Sequence, residues 1–326
     1  SIHWNPAKLA FLEKDFGIAL SYVPWLRAIV PDMNIAYLTG FQKINDNSTV
    51  ATSLRYFSLG NIQYTDEQGN SNGSFTPNEF AFDGAYALKL SEYFSAGVAL
   101  RFIYSNLSGG SRVAGADTRA GTAFAFDASL FYKSKQFQLS DKDAYISSGI
   151  NISNIGNKMS YSTANGTDEN FLPANMRLGA TLTMELDKYN DVSFTVEGNK
   201  LLVPTPNGSL DTNTVSVASG VFGSFNDAPN GSSEELKEIN LSVGIEYDYD
   251  DKLAFRLGFF NEAPEKGNRQ FITLGAGLAY SVLKFDFSYL LSTKQNSPIA
   301  NSLRVTISAL LSKGGSKEDD LPPTLN

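Results

Sequence analysis

Met176-Arg177-Leu178-Gly179-Ala180-Thr181-Leu182-Thr183-Met184-Glu185-Leu186 is the stretch that decides the fold. Alternate positions read Met, Leu, Ala, Leu, Met, Leu, and the positions between them read Arg, Gly, Thr, Thr, Glu. A period of two is a strand with two chemically opposite faces. At roughly 3.3 Å per residue and a tilt of about 40°, the stretch rises about 28 Å, close to the ~25 Å apolar band of an outer-membrane barrel. Strands of soluble sandwiches usually have about 5 to 6 residues. Length, more than alternation, marks this as a membrane strand.

The same pattern repeats on both sides. Before it lie Asp15–Val23, Met33–Lys43, Thr49–Gly60, Asn78–Leu90, Phe94–Tyr104, Thr122–Lys133 and Ala144–Ile155. After it come Asp191–Val203, Ile239–Tyr249, Leu253–Phe260, Gln270–Val282, Lys284–Thr293 and Asn301–Leu311. Phe16, Ile18, Leu20 and Tyr22 form the outward face of the first strand, and Ile35, Tyr37 and Phe41 that of the second; Gln270–Val282 is rich in Gly and Ala and fits either way round. Short turns alternate with long polar connections, Ile62–Pro77, Asn106–Gly121, Gly156–Ala174 and Pro204–Glu238. Gln136–Asp143 is the exception, a longer turn on the short side. An even strand number with alternating short and long connections is the outer-membrane rhythm, the long loops lying outside the cell. The expected fold is all-β: a transmembrane antiparallel β-barrel of 14 strands over 15–312, with a hatch segment at 1–14 and a disordered acidic tail at 313–326. The abrupt start at Ser1 reads as a processed or trimmed product whose hatch is incomplete.

Composition agrees. Of 326 residues, 42% are hydrophobic, 12% aromatic and 18% charged, and mean hydropathy is only -0.18. No run of 18 apolar residues is present, so an ordinary transmembrane helix is excluded; a barrel passes that test because half of each strand is polar. The net charge of -8 argues against nucleic acid as a partner. Zero cysteines exclude a disulfide scaffold and thiolate metal sites. His3 is the single histidine and stands outside the strands, and the carboxylates are scattered at about one per strand. Neither a Ser-His-acid set nor metal-ligand spacing is present, so the chain reads as non-enzymatic, without cofactor or metal.

Nearly every strand places a charge on its polar face: Arg55, Asp83, Arg101, Asp127, Arg177, Glu197, Glu246, Arg256, Asp286 and Arg304. Mixed signs favour a salt-bridged lumen over a selective pore, because charges enclosed in a narrow barrel need partners. Trp4-Asn5-Pro6-Ala7 opens a helical turn, with Asn5 as cap and Pro6 in the first turn; it is either a capped entry to the first strand or the end of a lumenal plug. Two long-side loops are apolar. Pro24–Pro31 carries Trp25, Leu26, Arg27 and Ile29, and Pro204–Glu238 carries Val217, Val221, Phe222 and Phe225, then a helix start at Ser232-Ser233-Glu234-Glu235. They are a binding surface, or they pack on each other as a lid.

Ser1-Ile2-His3-Trp4-Asn5-Pro6-Ala7-Lys8, Tyr22-Val23-Pro24-Trp25-Leu26-Arg27, Ser53-Leu54-Arg55-Tyr56-Phe57-Ser58-Leu59-Gly60, Pro77-Asn78-Glu79-Phe80, Gly223-Ser224-Phe225-Asn226-Asp227-Ala228-Pro229 and Glu234-Glu235-Leu236-Lys237-Glu238 together resemble the PorV family. These are outer-membrane proteins of the type IX secretion system of Bacteroidetes, and Asn5-Pro6-Ala7 is shared with the wider FadL-like group. The resemblance implies a fourteen-stranded barrel with an N-terminal hatch. It implies binding of the C-terminal signal domains of secreted cargo, docking beside the giant SprA or Sov translocon barrel, and delivery to the PorU sortase, in contact with outer-membrane lipid and lipopolysaccharide. The alternative is a FadL-like channel for hydrophobic small molecules, with an apolar pocket and a lateral break in the wall, for which Gly-rich Leu274–Gly277 is the expected place.

Overall fold

The structure is a computed structural model that describes the whole chain except residues 1, 27–28, 66–67, 111, 114–115, 163–168, 206–213, 295–296 and 313–326. The expected acidic tail and Arg27 therefore lie outside the described residues. Fourteen long strands run in order around one antiparallel sheet. They are β1 (Phe16–Pro24), β2 (Asn34–Asn45), β3 (Ser48–Ser58), β4 (Asn78–Lys89), β5 (Phe94–Asn106), β6 (Gly121–Lys133) and β7 (Lys142–Gly156). The second half comprises β8 (Asn175–Asp187), β9 (Asn190–Leu201), β10 (Ile239–Tyr249), β11 (Leu253–Asn261), β12 (Gln270–Tyr280), β13 (Leu283–Ser292) and β14 (Ser302–Leu311). β14 pairs back onto β1, from Leu311 opposite Phe16 to Val305 opposite Tyr22, so the sheet closes without an edge.

Register fixes which side chains meet lipid. Leu20, Leu38, Leu54 and Phe82 stand opposite one another on successive strands, and all four are exposed on the outside of the wall. Ile35, Tyr37 and Phe41 have the opposite parity on β2 and point inward, not outward as the sequence led us to expect; Tyr37 and Phe41 pack against the hatch cluster of Ile2, Leu9 and Ala10. The pattern was ambiguous because this part of the lumen is itself apolar. On β12 the choice resolves with Leu274 and Leu278 exposed outside. The expected break at Leu274–Gly277 does not exist: β12 is paired without interruption to β11 and to β13 through this stretch. The mid-wall irregularity lies instead between β6 and β7, where the register shifts between Phe126 and Ala128 and Asn154 takes a left-handed φ of 60°.

At the short-turn end, Gln136–Asp143 extends a hairpin. Phe137–Leu139 pairs with the start of β7, and Ser140 and Asp141, with φ of 52° and 63°, make the turn, as a two-residue hairpin that follows the strand twist requires. At the other end the long connections carry their own small ladders, Ile62–Thr65 on Ser71–Phe75 and Met159–Ser160 on Glu169–Asn170. Met159 and Leu172 turn inward over Ala123 and Ala125, filling the mouth on the β6 side.

Candidate functional site

The N-terminal segment is a plug. Pro6–Phe11 forms a short 3-10 helix, with Asn5 as N-cap accepting from the Ala7 N–H at 3.0 Å. The segment lies against β3 to β6 inside the barrel. Small inward residues make the room: Ala85, Ala87, Ser95, Ala99 and Gly97. Asn5 Nδ2 donates to the carbonyls of Leu130 and Ile150, on two facing strands. The Ala7 N–H also donates to Ser129 Oγ at 2.9 Å, and the Ala7 carbonyl accepts from Ser95 Oγ at 2.7 Å. At Gly97 any Cβ would stand 2.4 Å from the Ala7 nitrogen, so glycine is the only residue that lets the plug backbone pass. Asn5, Pro6 and Ala7 thus lie buried against the inner faces of β3 to β6, not merely at the entry to β1.

The lumenal charges sort into two clamps and a remainder. Arg101, directly opposite Asp83, bonds Asp83 at 2.5 Å and Asp127 at 3.1 Å; Arg101 is 6% exposed and both acids 1%. Ser53 Oγ donates to Asp83 at 2.6 Å, the Asn154 N–H donates to Asp127 at 2.8 Å, and Arg101 also donates to the Asn154 side chain. The bulge of β7 thus turns Asn154 into the cluster. Arg256 holds Glu246, its cross-strand neighbour, and Asp286 at 2.8 Å. Among the described residues no carboxylate is bonded to Arg55, Arg177 or Arg304. Arg55 lies over the Tyr37 ring and Arg177 over the Trp4 ring. The expectation that every lumenal charge is paired is therefore corrected: two arginines take four acids, and Glu197 remains outside both clamps. His3 has its Nδ1 buried without a hydrogen-bond partner, so it is not joined to a hydroxyl or acid through that atom.

The second apolar loop forms two short helices, α1 (Val217–Gly223) and α2 (Ser232–Lys237). Ser216 caps α1, and the helix start read at Ser232 is present. α1 does not cover the mouth. Val217 and Val221 pack with Ala174 and Leu202 against Ile152 and Met176, which are on the outward-facing register of β7 and β8. The helix therefore leans on the outside of the rim. Its free face shows Phe222, 77% exposed, and Phe225, 45%, with Leu236 of α2 at 70%. The sequence reading had passed over Leu236 as a site residue. On the first apolar loop Ile29 is 61% exposed, while Trp25 and Leu26 are half-buried. The strand order puts the β1–β2 loop and the β9–β10 loop on nearly opposite sides of the ring, which leaves the mutual lid without support.

An ionic lock holds α2. Lys200 bonds Glu235 at 3.0 Å and Glu238 at 2.5 Å, and Lys266 bonds Glu234 at 2.6 Å and Glu238 at 2.8 Å. Thr205 bridges Asp227 to Glu238. Burial opposes ionisation of Glu238, but hydrogen bonds from Lys200 and Lys266 outweigh it and hold its carboxyl below the usual carboxylate range. The bond from Lys266 does the same for Glu234. Depressed carboxyls stabilise the fold above their ordinary pKa, and this contribution disappears as pH falls through the lowered values. Hydrogen exchange, corrected for intrinsic rates, is expected to show α2, residues 232–237, protected at pH 7 and loosened at pH 3, with Lys200→Met loosening it at pH 7. Equal protection at both pH values would show that the lock is not what holds the helix. Sequence reading missed Lys200 and Lys266 because their partners lie more than thirty and about thirty residues away, across different loops.

The description "Type IX secretion system protein PorV" matches residues 1–208. The chain belongs to the PorV family. It is a component of the type IX secretion system, with an outer-membrane barrel fold. No curated protein matches it. Among solved structures, the toluene transporter TodX of Pseudomonas putida is similar at 11% identity and TM-score 0.51, covering 95% of this chain and 91% of that one. A TodX deltaS2S3 mutant, described as a monoaromatic hydrocarbon channel, gives 13% identity and TM-score 0.52 over 95% and 92% of the two chains. A FadL homologue of Pseudomonas aeruginosa is a weaker likeness at 11% identity and TM-score 0.41, over 93% and 91%. At these identities the likeness is one of fold.

Proposed function

We propose that this PorV-family barrel is a non-enzymatic carrier. It binds the C-terminal signal domains of secreted cargo beside the SprA or Sov translocon barrel and hands them to the PorU sortase, with its long loops on the cell surface. The observation that carries this reading is the exposed apolar face of Phe222, Phe225 and Leu236, held outside the rim by the packing of α1 on Ile152 and Met176 and by the ion pairs of Lys200 and Lys266 with α2 and its C-cap. A surface of large apolar side chains on an ordered, ion-locked support is built for a macromolecular partner. Ile29 with Trp25 and Leu26 offers a second contact across the mouth.

Replacing Phe222 and Phe225 together by Ser is expected to abolish co-purification of a cargo C-terminal domain, while the barrel remains heat-modifiable on gels. Retained pull-down at wild-type level would remove this face from the account; Trp25→Ser with Leu26→Ser tests the other loop in the same way.

The second reading is a channel for hydrophobic small molecules, favoured by the fold shared with a toluene transporter. Against it stands the lining of the lumen. Its cavities are bordered by Arg177, Asn151 and Glu197, and by Arg256, Asp286 and Arg304. A path for apolar solutes has no use for these groups. Direct binding of toluene or a fatty acid to the purified barrel, displaced by mutation of lumenal rather than loop residues, would favour the channel.

A further inference from the structure

On the inner side of the rim, beside the α2 C-cap Glu238, the lumen has a cavity of about 300 Å³ bordered by Asn175, Asn199, Asn240, Leu201, Val203 and Thr205. Asn199 stands opposite Arg177 on β8 and opposite Asn240 on β10, so its face is the lumenal one. We infer that this cavity receives an uncharged, extended stretch of the cargo signal domain, with its main chain on the asparagines and an apolar side chain on Leu201 and Val203. This rests on the carrier reading above and gives the cargo a second seat. Phe222, Phe225 and Leu236 meet it outside the rim, and the cavity takes one segment of it inside.

The walls suit a neutral ligand. Glu262 accepts from Nε and Nη2 of Arg269 at 2.7 Å each, and Glu238 binds Lys200 at 2.5 Å and Lys266 at 2.8 Å. The charges of the wall are thus matched, and an added charge would enter without a partner. The amides are what stays open. Asn175 and Asn199 bond each other reciprocally, at 2.9 and 2.7 Å. A side-chain amide has two N–H donors and a carbonyl with two lone pairs, so each keeps one donor and one lone pair. Asn240 makes no side-chain hydrogen bond among the described residues. All three asparagines are only half-buried and border open space, so a ligand can reach them. Donors and acceptors side by side match the N–H and C=O groups of a peptide chain. Leu201, 44% exposed, lies beside Val203 and supplies the apolar contact. A sugar would offer hydroxyls to the same amides, but among the described residues of the wall none is aromatic, so a sugar ring finds no face to stack on. The volume equals about ten waters at ~30 Å³ each, which admits a short extended segment and excludes a folded domain.

The test titrates a cargo C-terminal domain calorimetrically into the purified barrel, each variant first shown to be heat-modifiable and therefore folded. Asn240→Leu is expected to weaken binding about fivefold, as loss of one hydrogen bond implies. Leu201→Glu, which puts an unmatched charge against a neutral segment, is expected to weaken it at least about tenfold. The chain has no cysteine, so Asn240→Cys carries the single thiol of its variant. Bound domain is expected to slow the reaction of that thiol with a maleimide at least about tenfold. It is expected to leave Ser74→Cys, on the exposed β3–β4 loop across the ring, unchanged. Wild-type affinity in both Asn240→Leu and Leu201→Glu overturns the inference even where labelling is slowed, since the domain then only covers the cavity. If Phe222→Ser with Phe225→Ser still abolishes binding in that case, the carrier reading stands without the cavity. Absence of binding to wild type overturns both. Protection of Asn240→Cys by oligosaccharide released from lipopolysaccharide, and not by the domain, overturns the peptide assignment in favour of a sugar.

Discussion

Arg101→Met is expected to be the most destabilising single change in the barrel. It leaves Asp83 and Asp127, each 1% exposed, with no cation between them. Removing one partner of a buried ion cluster costs about 3–5 kcal/mol, because the remaining charges stay desolvated. Urea unfolding followed on the heat-modifiable band is expected to move to much lower urea. Adding Asp83→Asn and Asp127→Asn to Arg101→Met is expected to restore most of the loss, since the neutral amides no longer repel. Full stability of Arg101→Met alone would mean that water, and not Arg101, solvates the acids. The same experiment on Arg256, whose partners are partly exposed at 41% and 28%, is expected to show a much smaller effect, as solvent screens that clamp.

Gly97→Leu is expected to expel the plug. A Cβ at this position meets the Ala7 nitrogen at 2.4 Å and the Pro6 carbonyl carbon at 2.6 Å. Both are backbone atoms, so no rotamer change makes room. With the segment displaced, the bonds of Asn5, Ala7 and Ser95 are lost together, and the Lys8–Leu9 peptide becomes reachable. Trypsin is expected to spare the wild-type N-terminus and to cut the variant after Lys8, and ion conductance in planar bilayers is expected to rise. Gly84→Leu is the control: nothing lies within 4 Å of a Cβ there, and its register faces lipid. Equal trypsin resistance and conductance in Gly97→Leu and wild type would contradict a plug seated on β5.

Much of this fold was legible. The strands could be read because alternation over ten or more residues has no other explanation at this length, and the ends moved by only one or two residues. Facing failed on β2, where Ile35, Tyr37 and Phe41 follow the parity of the lumen. The rule that large apolar residues face lipid breaks down where an apolar plug lies inside. The row of Ala and Gly on the inner faces of β4 and β5 was the signal for that plug, since a lumen filled only by its own strands needs larger side chains. The charge partners were not legible. Asp83, Arg101 and Asp127 meet only through cross-strand register, and a bulge adds Asn154 to them. Of the proposed binding loops, the apolar character of Phe222 and Phe225 could be read. Their position outside the rim could not, because it rests on Ile152 and Met176, far away in sequence.

The central claim is that this PorV-family barrel carries secreted cargo, and gentle purification from its native membrane followed by mass spectrometry of what accompanies it tests this most directly. The account predicts a very large translocon barrel together with secreted proteins that share a C-terminal domain, both lost when Phe222 and Phe225 are replaced by Ser. Recovery of the barrel alone, with a fatty acid or other hydrophobic small molecule bound inside it, would contradict the account and establish the channel instead.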